Sequence, residues 1–475
     1  MPRSLSLCTK HRIKEYLSKM GKIVRGKCID ISSEGKGVVK IGRDIYFVDG
    51  LFVDEEADIE TLYSRAGVYY GKVKKLHTLS KDRIQPKCKI CTSCGGCQYQ
   101  QLRYEKQLEI KTKRVKEALK RIAHIDVEVK PCIGAKHPYH YRNKIQMPYA
   151  KDRKGNIVYG FYKQNSHEII PAKECMIEDQ RAASILWDIK ELLKEYKIPV
   201  YNEDSGKGIL RYVLIRTSYH YDEVMVVLIT SMMNFPGQRN FVNALLEKHP
   251  EITTLVENVN SRHTNVILGN KEKVLYGPGF IKDSILGLTF EISASSFYQV
   301  NPEQVEVLYK TALDLIDIKK NQVVLDAYSG VGTIGLIASK NAKKVISVEI
   351  VKDAHKNAIE NAKRNNIKNI EFYCDDAGKF INSYDRELDI VIMDPPRKGS
   401  DEAFLSSLIN RKVPEIIYVS CDPETLARDI AYLSDHYKVT FAQPLDNFPM
   451  TSHCETVVSL CLKNRCDEPN PSIQN

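Results

Sequence analysis

Between about residues 288 and 463 the chain alternates short β-branched runs with helical patterns, and no other stretch restricts its fold so strongly. Runs at 323–327, 344–349, 370–375, 389–394 and 415–420 read as parallel strands. Helical patterns separate them at 333–340, 353–365, 402–410 and 423–433, and runs at 438–444 and 456–463 complete the sheet. This alternation predicts an α/β, doubly wound, Rossmann-like domain whose ligands bind beyond the carboxyl ends of the strands. Functional residues are therefore sought where strands end.

The run at 415–420 passes directly into Cys421-Asp422-Pro423, and Pro423 opens a helix. A cysteine at a helix start is expected to lean toward thiolate, because oriented backbone N–H groups favour negative charge. The first strand leads into Tyr328-Ser329-Gly330-Val331-Gly332-Thr333, a glycine-rich turn that lets backbone close against a ligand. Glu349 ends the second strand nineteen positions after Gly330, where a carboxylate can take two ribose hydroxyls. The letters Gly330-x-Gly332-x-x-Gly335 also fit a dinucleotide fingerprint, which keeps an NAD-dependent dehydrogenase in play. Two features favour S-adenosylmethionine over NAD. Asp326 would crowd a pyrophosphate but suits a cationic amino acid and sulfonium, and the fourth strand ends in Asp394-Pro395-Pro396-Arg397. Proline restricts the residue before it, so the Asp394 carboxylate is held at the sheet's edge.

Glu455 stands at the start of the final strand. A nucleophilic cysteine and a carboxylate base beside a methyl donor suggest methylation at C5 of a pyrimidine. That carbon is too weak a nucleophile to attack a sulfonium directly. Cysteine addition at C6 makes the ring an enolate, C5 takes the methyl group, and a base removes the C5 proton before elimination.

The rest of the chain has a different texture. Short alternating runs at 23–29, 37–41, 44–48, 57–63 and 69–76, broken by Gly and Asp, suggest a small β-barrel, with Lys72, Lys74 and Lys75 adding basic surface. A basic helix is expected at 104–122, and α+β texture from 139 to 276. The net charge of +10 favours a polyanionic partner, and no apolar run is long enough to span a bilayer, which points to a cytoplasmic protein. Thirteen cysteines without a signal-type start point to metal or catalysis before structural disulfides. Four of them, Cys88, Cys91, Cys94 and Cys97, allow zinc, an iron–sulfur centre or a redox-active disulfide when read alone. Cys8, Cys28, Cys132, Cys374, Cys454, Cys461 and Cys466 read as incidental, and His167, His263 and Trp187 as packed or surface residues.

Five motifs in order resemble the RNA uracil-C5 methyltransferases: Ser296-Phe297-Tyr298-Gln299-Val300-Asn301, Asp326–Gly332, Asp394–Arg397, Ser420-Cys421-Asp422-Pro423 and Phe448-Pro449 through Glu455. The resemblance implies Cys421 as nucleophile and Glu455 as base, with Gln299, Tyr328, Thr333, Glu349, Asp376 and Asp394 lining the S-adenosylmethionine site. It also implies a TRAM barrel near the N-terminus and a [4Fe–4S] cluster on Cys88, Cys94, Cys97 and Cys175, a ligand set from which Cys91 departs. The layout expected is a basic tail (1–18), a TRAM-like RNA-binding barrel (19–80), a cluster segment with linker helix and central α+β domain (81–285), the methyltransferase domain (286–463) and a polar tail (464–475). The expected substrate is 23S rRNA, with the T-arm uridine of tRNA as the alternative. A TRAM-containing radical enzyme acting on tRNA lacks its Cys-x3-Cys-x2-Cys spacing here and has no use for Cys421. A non-catalytic iron–sulfur RNA-binding protein leaves Cys421 and Glu455 unexplained.

Overall fold

The structure, a computed structural model, describes residues 21–163, 166–263, 266–316 and 318–466. The expected basic tail at 1–18 and the stretch from 467 to the end lie outside the described residues. The chain divides into two compact units, one of residues 1–110 with 450–452, the other of residues 111–449 with 453–475.

In the first unit, five strands, β1 (Ile23–Ile31), β2 (Gly37–Ile41), β3 (Asp44–Asp49), β4 (Glu56–Arg65) and β5 (Val68–Thr78), close into a barrel in the order β1-β2-β3-β5-β4. Alternate residues point inward, so Val39, Tyr46, Val48, Ala57, Ile59 and Tyr69 form the core while their neighbours face out. Gly37 is required where the barrel narrows, since a Cβ there would lie 2.3 Å from the Leu51 carbonyl oxygen. The basic surface is smaller than its lysine count suggests. Glu60 accepts Lys72 and Lys74 at 3.1 and 3.2 Å, which neutralises part of it.

The second unit holds two seven-stranded sheets. The first has the order β12-β11-β10-β9-β6-β7-β8, built from β6 (Lys144–Lys151), β7 (Ile157–Tyr162), β8 (Ile169–Pro171), β9 (Leu210–Thr217), β10 (Val224–Thr230), β11 (Ile252–Val259) and β12 (Lys271–Tyr276). Its β10 explains the longest apolar run in the chain. Val226 and Leu228 pack under the helices Arg181–Glu195 and Gln238–Lys248, while Met225, Val227 and Ile229 join the core of the other sheet. A strand covered on both faces needs no polar alternation. Among the described residues no helix is long and apolar enough to cross a membrane.

After the hairpin of β13 (Phe280–Ile285) and β14 (Leu288–Ser293), the second sheet follows. It comprises β15 (Val323–Ala327), β16 (Lys344–Val348), β17 (Ile370–Tyr373), β18 (Ile390–Met393), β19 (Glu415–Ser420), β20 (Tyr437–Leu445) and β21 (Glu455–Leu462). The order is β17-β16-β15-β18-β19-β21-β20. The five strands β15 to β19 are parallel, and β21 enters antiparallel to both β19 and β20. Strand order reverses between β15 and β18, which opens a crevice at their carboxyl ends. Alternating side chains divide between two cores: Leu325, Val391 and Tyr418 meet Phe380, Phe404 and Leu426 on one face, and Val324, Ile392 and Ile417 meet Leu308, Ile334 and Ile337 on the other.

Candidate active site

Every strand around the crevice delivers a polar residue as it ends. Tyr328 follows β15, Glu349 follows β16, Asp394 follows β18 and Cys421 follows β19. In the antiparallel pair β19–β21, Ser420 faces Thr456, so the next step of the register sets Cys421 beside Glu455. The two residues expected to carry the chemistry are thus brought together by strand pairing.

The glycine-rich turn is shaped from within. Gly330 and Gly332 have φ of 56° and 81°, and Tyr328 also adopts a left-handed φ of 62°, a conformation that costs a non-glycine residue about 1 kcal/mol or more. Its hydroxyl meets Ser400 Oγ at 2.8 Å and its ring packs edge-on against Phe404. The third glycine has another purpose. A Cβ on Gly335 would lie 2.5 Å from Asp326 Oδ2, the atom that accepts the Gly335 N–H at 2.9 Å. Asp326, expected to suit a cationic ligand, is only 2% exposed and serves this turn. Glu349 accepts the N–H groups of Gly330 (2.8 Å) and Val351 (2.7 Å), one per oxygen, which leaves lone pairs on both oxygens. Thr333 is buried in the first turn of the helix Thr333–Ala338. Asp376 caps the helix Ala377–Ser383 by accepting the Lys379 N–H at 3.1 Å. The Gln299 carbonyl accepts Asn143 Nδ2–H at 3.1 Å.

Cys421 departs from expectation. Its thiol is pushed up to about 12, first by burial and then by Glu455 and Asp394, against the pull of Arg397. The helix start does not favour a thiolate because Asp422 is already the N-cap. Its carboxylate accepts the N–H groups of Glu424 and Thr425 at 3.2 and 3.0 Å, taking the donors that an anionic sulfur would use. Glu455 is held well above the usual carboxylate range by burial, with Asp394 and Cys454 adding to the effect. Asp394 is raised to about 7 by burial, and Asp326 to about 8 by burial and then by Asp394 and Glu349.

Several participants were not among the expected site residues. The Tyr309 hydroxyl is fully within the protein, bonded to Gln299 and facing Asp394, Asp326 and Glu455. Buried Lys111, paired with Asp446, pulls Glu455 down. Asp429 accepts the Ser400 N–H (2.8 Å) and the Tyr418 hydroxyl (2.6 Å), and so fixes the end of the loop that begins at Asp394. Arg397 Nη2 donates to His453 Nδ1 at 2.6 Å, and burial and Arg397 push that imidazole down to about 4, so it is a neutral acceptor. Cys132 and Cys454, read as incidental, form a hydrogen-bonded thiol pair beside Glu455.

The crevice suits a cation with a ribose. Glu349 keeps free lone pairs, Ser329 Oγ is buried without a partner, and two buried carboxyls are held protonated near neutrality for want of positive charge. This has a measurable consequence. The folded pKa values of Asp326 and Asp394 exceed the unfolded value, so their contribution to stability is present at low pH and is lost as pH rises through about 7 to 8. S-adenosylmethionine, as a cation, should then bind more tightly as pH rises from 6 to 8 and release protons on binding. Calorimetry in buffers of different ionisation enthalpy reads this directly. Binding that is independent of pH, without proton release, would contradict the charge assignment.

In the cysteine-rich loop two thiols are shifted upward. Burial and then neighbouring cysteines push the Cys91 thiol up, and burial pushes Cys97 to about 12. Among the described residues no group of three or more His, Cys, Asp or Glu side chains is placed to hold a metal ion.

Over residues 103–463 the chain matches the family model described as tRNA (uracil-5-)-methyltransferase. An uncharacterized RNA methyltransferase of Bacillus cereus is 42% identical over 91% of this chain and 95% of its own. One from Staphylococcus aureus is 38% identical over 93% of this chain and 98% of its own. Among solved structures, that of Pyrococcus abyssi tRNA (uracil-54, C5)-methyltransferase in complex with S-adenosyl-L-homocysteine is 28% identical, with a TM-score of 0.73 covering 92% of this chain and 100% of that one.

Proposed function

The chain belongs to the tRNA (uracil-5-)-methyltransferase family, and from that premise we propose that Cys421 and Glu455 carry out methylation at C5 of a uridine in 23S rRNA. It is an S-adenosylmethionine-dependent RNA (uracil-C5)-methyltransferase. The observation that carries the residue roles is the register of β19 and β21, which sets a buried carboxyl against a half-buried thiol at the mouth of the crevice. S-adenosylmethionine supplies an electrophilic methyl group. Cys421 must give up its thiol proton and Glu455 must be in its carboxylate form for the reaction to proceed. Sγ adds to C6 of the uracil, C5 takes the methyl group with S-adenosylhomocysteine as the leaving group, and the Glu455 carboxylate takes the C5 proton so that the Cys421–C6 bond breaks. Arg397 opposes the burial of both groups and favours their charged forms. Gln299, Tyr328, Thr333, Glu349, Asp376 and Asp394 are assigned to the S-adenosylmethionine site, in keeping with the positions of the last five at the strand ends and helix starts of one sheet. Gln299 lies in the loop before the helix Pro302–Asp314 and is bonded to Tyr309.

The barrel at 19–80 is assigned as a TRAM-like RNA-binding module, and Cys88, Cys94, Cys97 and Cys175 as ligands of a [4Fe–4S] cluster. Both readings rest on spacing and resemblance. Protein prepared without oxygen should contain about four irons per chain and lose them on Cys97→Ser but not on Cys91→Ser. Iron-free wild type would end the cluster reading.

The barrel and cysteine pattern favour rRNA. The likeness to a tRNA (uracil-54, C5)-methyltransferase favours a second reading, the T-arm uridine of tRNA. A map of 5-methyluridine in 23S rRNA and tRNA, from cells with and without this gene, decides between them. Loss of an rRNA site is expected, and loss confined to tRNA overturns it.

A further inference from the structure

The strands β7, β6 and β9, adjacent in the first sheet of the second unit, floor a cavity of about 560 Å³ that includes none of the catalytic residues. Its size is that of a small-ligand site. Phe161, Tyr162 and Tyr212 supply aromatic wall, and His263 sits at its edge. Two charged groups of opposite sign stand in the lining, with His167 Nδ1 3.5 Å from the Glu203 carboxylate. Arg211 is 4% exposed, its guanidinium lies 4.5 Å over the Tyr201 ring, and its Nη1 donates to the carbonyls of Asn260 and Arg262 at 2.8 Å. These contacts immobilise it, yet its buried Nε–H has no partner. The Glu203 carboxylate stands 4.0 Å from Arg211 Nη2 and beside the Tyr212 hydroxyl, half-exposed toward the opening. The Tyr162 and Tyr212 hydroxyls are bonded at 2.9 Å, and burial keeps both phenols protonated.

A fixed guanidinium, a carboxylate and flat aromatic walls have one complement among the RNA bases. Guanine offers O6 and N7 as an acceptor pair to arginine, and N1–H with N2–H₂ as adjacent donors to a carboxylate. Adenine, cytosine and uracil lack that two-donor edge. Bases held out of a stack are commonly seated on aromatic side chains. We propose that this cavity binds a guanine of the RNA substrate at a point away from the methylated uridine. The inference rests on the reading of this chain as an RNA methyltransferase.

Transcripts of 23S rRNA fragments and tRNA carrying 6-thioguanosine provide the test, with the full chain crosslinked by light and the attached peptide sequenced. Attachment within residues 157–163 or 201–213 is expected. Glu203→Gln, an exposed and near-isosteric change, should weaken that crosslink at least fivefold. On the methylated transcript it should raise KM about tenfold, with kcat and S-adenosylmethionine affinity unchanged. Tyr212→Phe, which keeps the ring, should retain the crosslink. Crosslinks confined to other segments, or a Glu203→Gln enzyme with wild-type KM, would overturn the proposal. Crosslinking in the cavity without methylation of any transcript would instead overturn the catalytic reading and leave the base site standing.

Discussion

Cys421→Ala should lose methyl transfer by about 10⁴-fold or more while binding S-adenosylmethionine as the wild type does. The size of the effect follows from the substrate. Without addition at C6 the uracil ring has no carbon nucleophile to offer, and the Cys132–Cys454 thiols near Glu455 are buried and bonded to each other. Glu349, Ser329 and the glycine-rich turn lie at the ends of β15 and β16, on the side away from Cys421, so cofactor affinity is a separate property of the site. A Cys421→Ala enzyme that retained a tenth of wild-type activity would show that the ring reacts directly. Cys421→Ser is a stricter version, since it preserves shape and burial but offers a far weaker nucleophile.

Glu455→Gln should fail at a different point. Addition and methyl transfer need no proton acceptor at C5, so the variant should accumulate a methylated covalent adduct with ordinary uridine and release it about 10² to 10⁴ times more slowly. Burial favours the neutral form of Glu455, and an amide of the same shape fits the space that the buried carboxyl occupies. The fold should therefore tolerate the change. Release at the wild-type rate would remove Glu455 from the mechanism and direct attention to Asp394 or to the Tyr309 hydroxyl, the other proton-bearing groups close by.

The repeating strands and helices of the C-terminal third were legible because the central strands β15, β18 and β19 are apolar on two faces and three of the helices, Ala377–Ser383, Glu402–Asn410 and Pro423–Leu433, start on a capping Asp. The helix Pro423–Leu433 has both the cap, in Asp422, and a proline start, in Pro423. The same cap misled the chemistry. Position alone argues for a thiolate at Cys421, but Asp422 consumes the donors that would have stabilised it, and burial decides the sign. The fingerprint Gly330-x-Gly332-x-x-Gly335 was ambiguous for a related reason. A glycine is demanded at 335 by a neighbouring carboxylate oxygen and not by a ligand, a distinction visible only in three dimensions. Tyr309 lies on the buried stripe of its helix with Val305, Leu308 and Ala312, and so reads as core. Asp429 did leave a trace, a charge among Leu426, Ala427, Ile430 and Leu433 on an apolar face. His263 and Arg211 belong to segments without periodic pattern around them, and their convergence on one cavity depends on the pairing of β6, β7 and β9.

The central claim is that a covalent bond joins Cys421 to the uracil ring during methyl transfer. RNA with 5-fluorouridine at the target position tests it most directly, because Glu455 then meets a C–F bond where it needs a C–H bond and elimination stops. Mass spectrometry of the digested complex should find a peptide modified at Cys421 by a methylated fluorouridine, formed only with S-adenosylmethionine present. Methylation of the RNA without any adduct, or an adduct on a residue other than Cys421, would contradict the account.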